Sequence, residues 1–139
     1  MTQNAEKILK ENDYSFVAVN CGKIYTSKKR GVSPILDKID ENPEFFIGSS
    51  VADKVIGKAS AMLLVKYGVS EIFAKLTSEK AIEFLKNKNV KFSYDSKTEY
   101  IINRDKTDMC PMEKAVLNID DVNIGEKAIR DKIKQLMKG

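Results

Sequence analysis

The sequence has no histidine and no tryptophan, only two cysteines and three prolines, and just three arginines (Arg30, Arg104 and Arg130) among its 24 basic residues. Without histidine there is no Ser-His or Cys-His catalytic pair and no general base of the commonest kind. Cys21 and Cys110 alone cannot form the usual structural zinc site, so no metal and no cofactor is expected. The start, Met1–Lys7, lacks a basic segment leading into an apolar one, so no secretory leader is expected, and both thiols are expected reduced in a cytoplasmic protein. No apolar run approaches the roughly 18 residues of a membrane span. The longest, Ala59–Val65, is interrupted by Ser60. The lysines are scattered rather than gathered with arginine and aromatics into a stripe, and the densest run is Lys28-Lys29-Arg30. Neither nucleic acid nor a membrane is therefore an expected partner.

What is present is a globular balance: 139 residues, 42% apolar, 32% charged, with a net charge of +4. That length predicts a single domain over residues 1–139. Periodicity predicts a short helix over 3–12 with Ile8 and Leu9 inward, then strands over 14–20 and 23–27 joined by a tight turn at Cys21-Gly22. Ser33 as N-cap and Pro34 at the first turn open a helix that Asn42-Pro43 ends, with Ile35, Leu36 and Ile39 inward. Residues 51–67 read as the longest helix, about 25 Å long, with Ser50 and Asp53 as a capping box and Gly68 as its stop. A strand over 71–76, a helix capped by Thr77 or Ser78, strands over 90–94 and 99–103, a helix beginning near Pro111 and a last helix over 125–137 follow. Ala128, Ile129, Ile133 and Leu136 would face inward on the last one. A mixed sheet with helices on both faces is the expected arrangement.

Two places carry chemistry. The start of the predicted long helix holds Ser50, Asp53, Lys54 and Lys58, and free N–H groups at a helix start attract anions. The plain alternative is a capped, solvated helix. A P-loop is excluded, because the motif needs glycine where Ala52 stands and Ser or Thr where Ala59 stands. The second place is Asn103-Arg104 with Cys110 and Glu113. A thiol ahead of a proline-started helix and near Arg104 is a candidate nucleophile or redox centre, and Glu113 a candidate acid or base. Against this, most free cysteines are packing residues.

Asp53-Lys54-Val55-Ile56-Gly57-Lys58-Ala59, then Tyr100-Ile101-Ile102-Asn103-Arg104-Asp105, then Met109-Cys110-Pro111-Met112-Glu113 together resemble the domain of unknown function 1893 family. The resemblance covers most of the chain. It implies a cytidine-deaminase-like fold, a three-layer α/β/α sandwich around a mixed sheet, with a pocket at the starts of two core helices. Asp53, Lys54 and Lys58 would line that pocket, with Asn103, Arg104 and Cys110 as neighbours. True deaminases place a His- or Cys-x-Glu motif at the first helix start and Pro-Cys-x-x-Cys at the second. Here those positions hold Asp53-Lys54 and Thr77-Ser78-Glu79-Lys80, so zinc-dependent deamination is not expected. The leading expectation is a binder of a small anionic metabolite or nucleotide, with Ser50, Asp53, Lys54, Lys58, Asn103, Arg104 and Glu113 at the ligand. One alternative is an enzyme or redox-sensitive protein using Cys110, with Asp53 assisting. The other is an interaction module whose small-residue helix face meets a partner or a second copy.

Overall fold

The computed structural model describes residues 2–102 and 109–138. After helix α1 (Thr2–Glu11), strands β1 (Phe16–Asn20) and β2 (Lys23–Ser27) form a hairpin. Its turn uses Cys21 and Gly22 at φ of 50° and 82°, the left-handed pair that a two-residue hairpin needs. Helix α2 (Ser33–Glu41) and a turn-rich stretch lead to β3 (Ser50–Ile56). Then come α3 (Lys58–Lys66), β4 (Glu71–Ser78), α4 (Glu79–Leu85), β5 (Lys91–Thr98), α5 (Pro111–Ala115) and α6 (Val122–Lys138). The five strands form one mixed sheet in the order β2-β1-β3-β4-β5. β1 is antiparallel to both β2 and β3, whereas β3, β4 and β5 run parallel. Parallel neighbours need a crossover, and α3 and α4 provide the two.

Register decides what each face buries. Val17, Ala52 and Phe73 stand side by side across β1, β3 and β4 and pack with Ala5 and Leu9 of α1. The adjacent row, Ala18, Val51 and Ile72, belongs to the larger core that includes Ile35, Met62, Phe84, Val116 and Ile129 from the other helices. On the other side of the Val17 row stand Phe16, Asp53 and Ala74, so a carboxylate stands between two residues of that apolar core.

The hairpin, the helices flanking it and the apolar face of α2 agree with the sequence reading. The long helix does not. Residues 51–67 divide into strand β3 and helix α3 at Gly57. β3 lies between β1 and β4 and is buried on both sides along most of its length, so it shows no period-2 alternation; β-branched Val51, Val55 and Ile56 supply its strand preference. Ser50 and Asp53 consequently form no capping box, and Ser50 pairs in the sheet with Val19 and Glu71. Gly57-Lys58, expected inside a helix, is the strand-to-helix junction.

Smaller differences follow from local bonds. Val32 is the cap of α2, with Ser33 already helical and making no capping bond. Residues 99–102 form no strand, and only an isolated bridge joins Ile102 to Met109, because β5 runs on to Thr98 and takes the pairing along β4. α6 begins at Val122, where the Asp121 carboxylate accepts from the Asn123 and Ile124 amides at 2.8 and 3.0 Å. Leu136, near its end, is 53% exposed rather than inward.

Candidate functional site

The C-terminal ends of β3 and β4 lie side by side, as Ile56 pairs with Thr77. The Thr77 hydroxyl donates to the Ile56 carbonyl at 2.7 Å and locks the two ends together. Each strand turns directly into a helix. At the second junction the Ser78 hydroxyl accepts from the Ala81 amide at 3.1 Å and caps α4. At the first, Gly57 is the cap and has no side chain to offer. Its role is filled from elsewhere in the chain. The Glu113 carboxylate on α5 accepts from the Lys58 amide at 2.7 Å and from the Ala59 amide at 3.0 Å. Glu113 is a buried acid whose carboxyl is pushed above its ordinary value by burial, with the two amides pulling the other way. The anion seat expected at this helix start is thus occupied by the protein's own carboxylate. Gly57 is glycine for the same reason: a Cβ there would sit 2.5 Å from both Glu113 oxygens.

Lys58 follows. Its side chain is 7% exposed, and its ammonium pairs with Asp120 at 3.1 Å, an acid whose own side chain is 86% exposed. The Leu117 carbonyl lies 3.4 Å from the same nitrogen. Lys58 and Asp120 both line a cleft of about 470 Å³, whose wall also includes Lys80, Lys88, Phe84 and Asn118. The cleft runs along α4 from Lys80, near the carboxyl ends of β3 and β4, to Lys88 in the turn beyond it, with the turn after α5 as its other wall. In open α/β sheets ligands generally bind at the carboxyl ends of the strands, which is the Lys58 end of this cleft.

The expected site residues do not converge. Lys58 and Glu113 are together at the start of α3. Ser50 is at the opposite end of β3, buried in the sheet. Asp53 is buried in β3 with its Oδ1 accepting from the Val55 amide at 3.2 Å, and together with Lys54 it lines a separate cavity. Cys110 is half-buried at the cap of α5, where its amide donates to the Ile101 carbonyl at 2.8 Å and its carbonyl accepts from the Lys114 amide at 3.1 Å. Its dipole argument weakens, because α5 is five residues long. Asn103 and Arg104 lie outside the described residues. The small residues Ala59, Ser60 and Ala61 are buried within this chain, so the helix face assigned to a partner is already covered. Among the described residues no group of three or more Cys, Asp or Glu side chains is placed to hold a metal ion, and no helix is long and apolar enough to cross a membrane.

Sequence reasoning missed Asp120, Lys80 and Lys88. They are ordinary surface-type residues whose only distinction is that folding sets them around one cleft, and no local pattern announces that. It also missed why Gly57 precedes Lys58, because the partner, Glu113, is more than fifty residues away in sequence.

A family model described as a domain of unknown function (DUF1893) matches residues 4–133. The chain is also similar to the crystal structure of a DUF1893 family protein (TM1506) from Thermotoga maritima. The two are 33% identical with a TM-score of 0.80, over 96% of this chain and 88% of that one. No curated protein matches the chain.

Proposed function

Since the chain belongs to the DUF1893 family, whose description assigns it no activity, function has to be argued from the site, and we propose that it binds a small anionic metabolite, of nucleotide size or smaller, in the cleft beside α4. One observation carries this reading. Lys58 is a buried cation neutralised by an almost fully exposed acid, Asp120, on the wall of a cleft of about 470 Å³. That volume falls within the range of roughly 300–1,000 Å³ for small-molecule sites. An exposed carboxylate pairs weakly because water competes for it, so a ligand phosphate or carboxylate can replace it at little cost. Lys80 and Lys88 add positive charge to the same wall, against one acid besides Asp120, Glu83.

The reading takes the chain as a deaminase-like three-layer α/β/α sandwich in which the pocket at the two helix starts is kept and the zinc ligands are not. It is supported by the two helices that begin directly at the strand ends. It also goes with a cytoplasmic protein, where nucleotides are abundant. In this reading Glu113 is a fixed internal anion that holds the Lys58 backbone, and the lysine side chain meets the ligand.

The test is calorimetric titration of the protein with nucleoside mono- and triphosphates, with inorganic phosphate as the small reference. Lys58→Met should weaken binding at least tenfold. Asp120→Asn should tighten it, because the competing carboxylate is gone. A purely structural Lys58–Asp120 pair predicts no binding by the wild type and none gained in Asp120→Asn, and that result would overturn the reading.

A further inference from the structure

A second cavity, of about 420 Å³, opens at the same end of the sheet but on the hairpin side. Its lining comes from three places: Asp13 and Ser15 before β1, Lys28, Arg30 and Gly31 after β2, and Asp53, Lys54 and Val55 near the end of β3. Local bonds hold these together. The Lys54 amide donates to the Ser15 carbonyl at 3.0 Å. The Ser15 hydroxyl bonds to the carbonyls of Ser27 and Lys29, which draws the segment carrying Lys28 and Arg30 across the end of β3.

Asp53 is the buried acid of this cavity, only 5% exposed, while Asp13, Lys28, Arg30 and Lys54 are exposed around it. Its Oδ1 is held by the Val55 amide. Its Oδ2 is the one buried side-chain polar atom without a hydrogen-bond partner among the described residues. Leaving a buried acceptor unpaired is costly, and more so if it is charged. The strand offers no relief, because the neighbours of Asp53 in its row are Phe16 and Ala74. The rim has the opposite imbalance. Lys28 reaches Asp13 at 3.9 Å, but the side chains of Arg30 and Lys54 have no ion-pair partner among the described residues.

We propose that this cavity binds a small zwitterionic amine, an amino acid in the broad sense, with its ammonium group on Asp53 Oδ2 and its acidic group on Arg30 and Lys54. An ammonium supplies both what Oδ2 lacks, a donor, and what a buried carboxylate needs, a counter-charge. Arg30 presents a planar fork suited to a carboxylate, with Lys54 as a second cation. A protein holding an unpaired acid inside and unpaired cations outside is complementary to a ligand with the reverse polarity. Burial raises the Asp53 carboxyl well above its ordinary value. An ammonium beside it would favour the charged form and draw that value back down.

The experiment is a calorimetric titration of the whole protein with ω-amino acids of increasing length, from glycine to 6-aminohexanoate. Each is matched by the carboxylic acid and the alkylamine of the same length. The expected result is a preferred length that binds at least tenfold more tightly than either matched compound. Asp53→Asn and, separately, Arg30→Ala should each lose at least tenfold of that affinity. Arg30 is exposed, so its variant keeps the test open if Asp53→Asn fails to fold. Lys58→Met should leave this binding unchanged, which separates it from the cleft beside α4. No binding by any amino acid overturns the proposal. So does equal binding of the matched acid, which would make the site a plain anion site. Binding unaffected by a folded Asp53→Asn and by Arg30→Ala overturns it as well.

Discussion

Gly57→Ala isolates the internal anion at the start of α3. The backbone at Gly57 is extended, with φ −98° and ψ −178°, which alanine adopts without strain. The added methyl would lie 2.5 Å from both Glu113 oxygens, so the carboxylate has to withdraw. Withdrawal breaks two bonds from amides to a charged acceptor, each worth about 1.5–3 kcal/mol. Part of this returns, since a freed carboxylate regains water. A net loss of about 3 kcal/mol is expected, and Glu113→Ala should cost a similar amount by removing the same two bonds. The double variant is the decisive one. Without the carboxylate the methyl meets no clash with it, so Gly57→Ala in the Glu113→Ala background should cost less than about 1 kcal/mol, the ordinary difference between glycine and alanine at a cap. Urea denaturation followed by circular dichroism, on the wild type, the two single variants and the double, gives the coupling directly. If the two losses add to within about 0.5 kcal/mol, Glu113 and Gly57 are independent and the reasoning fails.

Three further outcomes are expected. Asp53 holds its proton more tightly folded than unfolded, so the stability linked to it is fully present below its ordinary value of 3.8 and is lost as pH rises toward its raised one. Thermal melts of Asp53→Asn from acid to neutral pH should lack that fall, and a profile parallel to wild type would contradict the burial argument. Glu126 behaves oppositely. Although burial opposes it, bonds from Lys66, Arg130 and Tyr67 at 2.5, 2.7 and 2.8 Å bring its carboxyl down to about 2. Its contribution, about 3 kcal/mol at most, should be present above pH 4.5 and disappear as pH falls through about 2. Glu126→Gln should show no such loss in acid denaturation. Ser78→Ala removes the cap of α4 and should cost about 1 kcal/mol, read from the urea midpoint at unchanged slope.

How much of this was legible in the sequence depended on how far apart the cooperating residues lie. The Cys21-Gly22 turn, the Ile35/Leu36/Ile39 face of α2 and the Ser78 cap are each written within a few residues, and each was readable. Residues 51–67 were misread because a strand buried on both faces and a helix buried all round carry the same continuous apolar pattern. Gly57, which marks the boundary, falls inside the helix expected over 51–67. For the site, Lys58 and Glu113 were both picked out, but for an open anion seat that Glu113 itself fills. Asp53 was picked out as one of a cluster, and the register of β1, β3 and β4 instead sets it apart on the hairpin side. Arg30 was visible only as part of a basic run in a turn, since its nearness to Asp53 follows from the Ser15 contacts across the end of β3.

Among the described residues the sheet order leaves β2 and β5 with one neighbour each, and so two rows of backbone donors and acceptors facing outward. Such edges are templates on which another copy can stack strand upon strand. β5 is the longer of the two and is exposed along most of its length, yet it carries Lys91, Asp95 and Lys97. β2 is five residues long, begins with Lys23, and is followed at once by Lys28, Lys29 and Arg30. Charges so placed make an approaching edge lose hydration before it gains a single bond. The lysine excess that gives the chain its net charge of +4 thus also acts as a guard against fibril growth, and it guards most where the sheet is open.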